Sequence, residues 1–126
     1  MPETTERHDD ALIIDAAHRE LLAHVLDKWS LDVLNELCER PCRFNVLRRA
    51  IPVVTQKSLS ATLRRLERNG IVEREVISSR PVAVEYRITP LGKTLRDPVD
   101  VLLAWTAEAM PQIERARDAF DAQQAL

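Results

Sequence analysis

Apolar residues recur at intervals of three and four along the first part of the chain: Ile14, Ala17, Leu21 and Val25, with Leu22 and Leu26 beside them. That period marks an amphipathic helix, predicted over residues 9–26 with Asp9 or Asp10 at its start. A second helix is predicted around Lys28–Glu39, with Trp29, Val33, Leu34 and Leu37 turned inward. Pro41 stops it, because proline in a helix interior removes an N–H and clashes with the preceding turn. Phe44, Leu47 and Ile51 mark a short third helix over Arg43–Ala50, ended by Pro52. Residues 1–8, MPETTERH, carry no such stripe and read as a disordered tail.

The stretch TQKSLSATLRRLERNG (55–70) predicts a fourth helix running to about Arg68. Thr55 suits its N-cap, where a side-chain oxygen accepts from an otherwise unpaired backbone N–H. Gly70 stands where a left-handed C-terminal cap needs a residue without a Cβ. The period then drops to two. IVEREVI (71–77) and AVEYRIT (83–89) alternate about the tip SSRPV, which predicts a β-hairpin. Thr89 and Pro90 read as the N-cap and first helical residue of a C-terminal stretch. Its stripe comprises Leu91, Leu95, Leu102, Trp105, Ala109, Ile113, Ala116 and Phe120. Pro98 and Pro111 are expected to bend or interrupt it, leaving segments near 90–109 and 111–122.

Four helices, a hairpin and a further helical stretch, with a short turn between helices three and four, make a winged helix-turn-helix. The fold class is mainly α with a small antiparallel β-hairpin (α+β). A chain of 126 residues can bury a core without disulfides or metal. The expected organisation is one domain over 9–126: the N-terminal helix, a core over 28–89 with its wing at about 71–88, and C-terminal helices over 90–122.

Charge changes the picture more than overall composition does. The chain is slightly acidic, at net −2, yet residues 40–80 hold ten Lys or Arg against three acids, a local net of +7. A basic centre between acidic ends suits a polyanion at the middle. Stepping about 100° per residue from Leu59 as the inward centre sets Leu63 and Leu66 near it and Thr55 and Thr62 at its edge. Lys57, Ser60, Ala61, Arg64, Arg65 and Arg68 then point away, with Gln56 beside them. Cations reach phosphates, Gln pairs with adenine, Arg or Lys with guanine, and Ala touches the thymine methyl. Arg80 at the hairpin tip and Arg43, Arg48 and Arg49 on helix three can hold flanking phosphates. The same face also fits an acidic protein partner, which leaves a protein–protein interaction module as an alternative.

Other classes find little support. No apolar run approaches the ~20 residues of a membrane span, and the polar, acidic N-terminus is not a signal peptide. A cytoplasmic location is the expectation. Two glycines cannot build a Gly-rich phosphate loop. No catalytic set, cofactor site or metal site is assigned.

DKWSLDVLNEL (27–37), RFNVLRRAIP (43–52), TQKSLSATLRRLERNGIVER (55–74), PVAVEYRITPLGKTL (81–95) and VDVLLAW (99–105) together resemble the HxlR-type family of winged-helix transcriptional regulators, a branch near the MarR-like repressors. The Lys-Trp pair, the Arg-Phe start of helix three, the P-x-x-V-E-Y wing strand and the turn ITPLG carry the likeness. The resemblance implies a homodimer on a pseudo-palindromic double-stranded DNA operator, with helix four as recognition helix and the terminal helices as the dimer interface. Ile14, Leu21, Leu102, Trp105, Ile113 and Phe120 are the interface candidates. It also implies responsiveness to a signal, with an effector of unspecified chemistry.

Several members of that family carry a cysteine ahead of the Lys-Trp motif, and some use it to sense oxidants. No residue from 1 to 37 is Cys here. Cys38 and Cys42 remain as a C-x₃-C redox candidate, and Arg40 and Arg43 would favour a thiolate at an exposed site. The structural alternative is a core cysteine acting as a small hydrophobe. Two Cys without matching His make a poor zinc set, and His18 and His24 are not one helical turn apart.

Overall fold

The computed structural model describes residues 14–125. The expected tail over 1–8 and the first residues of the predicted N-terminal helix lie outside the described residues. The chain divides into two compact units, one ending at Thr89 and one beginning at Pro90.

The first unit opens with α1 (Ala16–Val25) and α2 (Ser30–Glu39). Asp15 caps α1 by accepting from the His18 N–H at 2.9 Å. That cap starts the described helix at Ala16, while the predicted start at Asp9 or Asp10 falls outside the described residues. Residues 26–29 form the elbow between α1 and α2, so Lys28 and Trp29 precede the second helix instead of belonging to it. Ser30, fully buried, ties this elbow together by donating its hydroxyl to the His24 carbonyl at 2.6 Å.

A short strand, β1 (Cys42–Arg43), follows Pro41 and leads straight into α3 (Phe44–Ala50). The long helix α4 (Gln56–Arg68) comes next, then β2 (Val72–Ser79) and β3 (Val82–Ile88). The sheet has three antiparallel strands in the order β1-β3-β2. β1 pairs Cys42 with Tyr86 and Arg43 with Glu85. Periodicity did not reveal this strand, because two residues are too few to show alternation. The hairpin is longer than predicted: pairing extends to Ser79 and Val82, leaving only Arg80 and Pro81 at the tip. The register shifts between Val76 and Ser78, a bulge that turns the outer part of the wing.

The core of this unit gathers Val25, Val33, Leu34, Leu37, Leu47, Leu59, Leu63, Leu66, Ile71 and Val72, all buried. Its contributors come from α1 to α4 and the start of β2, so α4 is held by the rest of the unit along one apolar side. The end of α4 is closed by a Schellman motif. The Ile71 N–H donates to the Leu66 carbonyl and the Gly70 N–H to the Glu67 carbonyl, both at 3.0 Å. Gly70 carries the required positive φ of 75°, which a Cβ would disfavour. Thr89 clasps the base of the hairpin to that cap, its hydroxyl donating to the Gly70 carbonyl at 2.6 Å and its N–H to the Ile71 carbonyl at 3.0 Å.

The second unit holds a one-turn helix, α5 (Pro90–Lys93), and α6 (Arg96–Ala125), 30 residues long. The predicted division near residue 110 is not found: α6 runs through Pro111 without a break. Pro98 falls in its first turn, where a missing N–H has no intrahelical partner to lose. Pro111 forfeits one rung of the ladder inside a helix long enough to continue on both sides.

Candidate nucleic-acid interface

The geometry of α4 begins at Thr55. Its extended backbone (φ −83°, ψ 158°) starts the helix, and its hydroxyl accepts from the Ser58 N–H at 3.0 Å. From there Leu59, Thr62, Leu63 and Leu66 are buried, while Gln56, Lys57, Ser60, Arg64 and Arg68 are exposed. Ala61 is half-buried and lies at the margin of that exposed face. The outward side is therefore an amide, a hydroxyl and three long cations on one helix. Among the described residues, none of Lys57, Arg64 and Arg68 makes a salt bridge.

Arg65 departs from the expected outward set. Its Nη2 lies 3.1 Å from Asp27 Oδ2 in the elbow, and the two side chains are only 36% and 30% exposed. The same carboxylate oxygen accepts from the Thr62 hydroxyl at 3.3 Å. One turn on, the Asn69 side-chain amide donates to His24 Nδ1 at 3.1 Å. The helical step explains the difference. Arg65 falls roughly 120° from the inward centre on one flank, whereas Arg64 falls roughly 140° away on the other. The side beyond the apolar stripe thus comprises two flanks with different neighbours.

Glu67 is exposed on α4 and sits 3.9 Å from Arg74 of β2, which moderates an acid beside the basic face. Arg80 is exposed at the wing tip, Arg43 on β1 at the N-cap of α3, and Arg48 and Arg49 along α3. The wing is braced by the Arg87 guanidinium donating to Glu75 Oε1 at 2.6 Å across β2 and β3.

The dimer candidates are placed in their own units. Ile14 and Leu21 are exposed in the first; Leu102, Trp105 and Phe120 are exposed on α6 in the second, and Ile113 is half-buried there. Cys38 is half-buried on α2, and Cys42 is only 2% exposed on β1; both are free thiols. The Cys42 thiol donates to the Arg40 carbonyl at 3.4 Å. Desolvation pushes its pKa up, Arg40 pulls the other way less strongly, and Glu36 and Glu85 add to the rise. A raised pKa means less thiolate at neutral pH, and thiolate is the nucleophile. Iodoacetamide at pH 7 is accordingly expected to label Cys38 well before Cys42, read by peptide mass spectrometry; equal rates at both sites would contradict that order. Among the described residues no helix is long and apolar enough to cross a membrane, and no group of three or more His, Cys, Asp or Glu could hold a metal ion.

Comparison with known proteins supports the fold. The HxlR-like helix-turn-helix family model matches residues 24–114, spanning the elbow, all of α2 to α4, the wing and much of α6. The chain belongs to that family. The HTH-type transcriptional regulator YtfH of Escherichia coli is 37% identical over 100 residues, covering 79% of each chain. Among solved structures, the transcriptional regulator ytfH from Salmonella typhimurium superposes with a TM-score of 0.70 at 36% identity, covering 80% of this chain and 90% of that one. The redox regulator HypR in its reduced form gives a TM-score of 0.70 at 33% identity, covering 79% and 98%. This HxlR-like chain is thus a transcriptional regulator with a helix-turn-helix fold, mostly helical with a small antiparallel sheet, and not an enzyme.

Proposed function

We propose that this regulator acts in the cytoplasm as a homodimer that binds a pseudo-palindromic double-stranded DNA operator through α4. The observation that carries the reading is the outward face of α4: Gln56, Lys57, Ser60, Arg64 and Arg68 exposed above a buried row of leucines. In this reading the side chains near the start of α4 meet base edges in the major groove. Arg68, Arg43 and Arg48 reach phosphates, and Arg80 takes the wing to the backbone or minor groove. Thr55 serves the site by starting the helix, whose first N–H groups favour a nearby phosphate. Arg65 is left out of the contact set because Asp27 holds it.

The dimer is proposed on exposed apolar residues of the terminal segments, Ile14 just before α1 and Leu21 on it in one unit, and Leu102, Trp105 and Phe120 on α6 in the other. Two-fold pairing would set two recognition helices on successive major grooves, about 34–36 Å apart. Occupancy of the operator then controls access of the transcription machinery. Redox sensing through Cys38 and Cys42 is not favoured, because Cys42 is buried with its thiol pushed towards the protonated form.

Selection of bound duplexes from a random pool tests the proposal. Enrichment of an inverted repeat with half-site centres about one helical turn apart is the expected result. Folded protein that enriches no sequence after repeated rounds would overturn it in favour of an acidic protein partner for the α4 face.

A further inference from the structure

We infer that Asp27 is a specificity-determining positioning residue, which withdraws Arg65 from the DNA and fixes the rotation of α4 about its axis. The inference rests on the DNA-binding reading of α4. Three positions on one flank of that helix, Thr62, Arg65 and Asn69, are tied by side-chain bonds to the elbow and the last turn of α1: the first two to Asp27 and the third to His24. Their spacing of three and four places them along one line of the helix surface. The leucines on the inward side resist separation of α4 from the core, but apolar contact is not directional. Hydrogen bonds are directional, so Asp27 and His24 supply what the leucines do not, a preferred angle at which Gln56, Lys57, Ser60 and Arg64 face outward.

The charge argument is independent of the orientation argument. Phosphate contacts give affinity without reading sequence, and each one adds to the salt dependence of binding. An Arg65 released to the solvent would be a further phosphate ligand on a helix that already carries Lys57, Arg64 and Arg68. Bound to Asp27 at 3.1 Å, it lends the protein no such contact. Thr62 makes the arrangement hard to abandon, since its side chain is buried and the Asp27 carboxylate is a hydrogen-bond partner of its hydroxyl. Asp27 thereby lowers the binding that every duplex shares and leaves the base-reading flank alone.

The test measures the affinity of the full chain for its selected operator and for random duplex across a salt series. Four forms are compared: wild type, Asp27→Asn, Arg65→Met and the double variant. Asn keeps an acceptor for Thr62 and removes the charge that holds Arg65. Asp27→Asn is expected to tighten random-duplex binding by about five- to tenfold near 0.1 M salt and to steepen the log–log salt slope by about 0.9 per bound protomer. The ratio of operator to random affinity falls. Arg65→Met alone leaves the slope as in wild type, and in the Asp27→Asn background it restores that slope. A slope and ratio unchanged in Asp27→Asn would overturn the inference. So would a slope lowered by about 0.9 per bound protomer in Arg65→Met alone, because Arg65 would then be a phosphate ligand with Asp27 in place. If Asp27→Asn does not fold by circular dichroism, Arg65→Met decides by the same slope. Wild type that fails to distinguish operator from random duplex sinks the DNA-binding reading itself, a different outcome from a preference that Asp27→Asn does not alter.

Discussion

Replacing Leu66 by Ala is expected to lower the unfolding free energy of the chain by about 2–5 kcal/mol, the range for a buried leucine truncated to a methyl group. Leu66 is 0% exposed, and Leu59 and Leu63 beside it on α4 are also buried. Removing its isobutyl group loses both the transfer energy of the deleted carbons and the contacts of the atoms lining the void. The site cannot collapse easily, because α4 is pinned at its far end by the Gly70 cap and at its flank by Asp27 and His24. Urea denaturation followed by circular dichroism measures the loss as a lower midpoint with an unchanged slope. Gln56→Ala, on the exposed side of the same helix, is expected to stay within about 0.5 kcal/mol of wild type. A Leu66→Ala midpoint indistinguishable from that of Gln56→Ala would show that α4 is not anchored through this row.

Arg64→Ala is expected to weaken operator binding by about 1–3 kcal/mol, roughly 5- to 150-fold, while the unfolding midpoint stays near wild type. Arg64 is exposed at the middle of the outward face, so its removal leaves no cavity and no buried partner without a bond. The pattern of the loss identifies its role. A base-edge contact relaxes the preference at one operator position, whereas a phosphate contact weakens all duplexes alike and reduces the salt slope by about one. Fluorescence anisotropy with the operator, single-position variants and random duplex separates the two. Affinity unchanged for every duplex would remove α4 from the groove.

The apolar side of α4 was plain in the sequence, because a run of leucines at helical spacing leaves little choice of inward direction. Thr55 and Gly70 were equally legible as its ends, since few side chains can accept from the first helical N–H groups and few residues adopt the positive φ of the cap. The flanks were not. Whether Arg65 faces solvent or a carboxylate depends on what another segment brings near it, and Asp27 lies far off in sequence. Only the sense of rotation, Arg65 on one flank and Arg64 on the other, could have separated them beforehand. The strand at Cys42–Arg43 was hidden for a related reason: its pairing with Tyr86 and Glu85 is a tertiary fact. Pro111 misled in the opposite direction. A local rule placed a break there, and a helix continuing for a further 14 residues to Ala125 absorbs the lost rung.

The clasp of Thr89 on Gly70 and Ile71 separates two properties that a regulator would otherwise have to adjust together. The bearing of the wing is set at its root, by the cap of α4. Its length is set at the opposite end, by the Arg80–Pro81 tip. Added residue pairs there would extend the reach by about 3.3 Å per residue along each strand while α4 keeps its pose. Insertions at that single exposed point would thus change how far the wing reaches without disturbing its root.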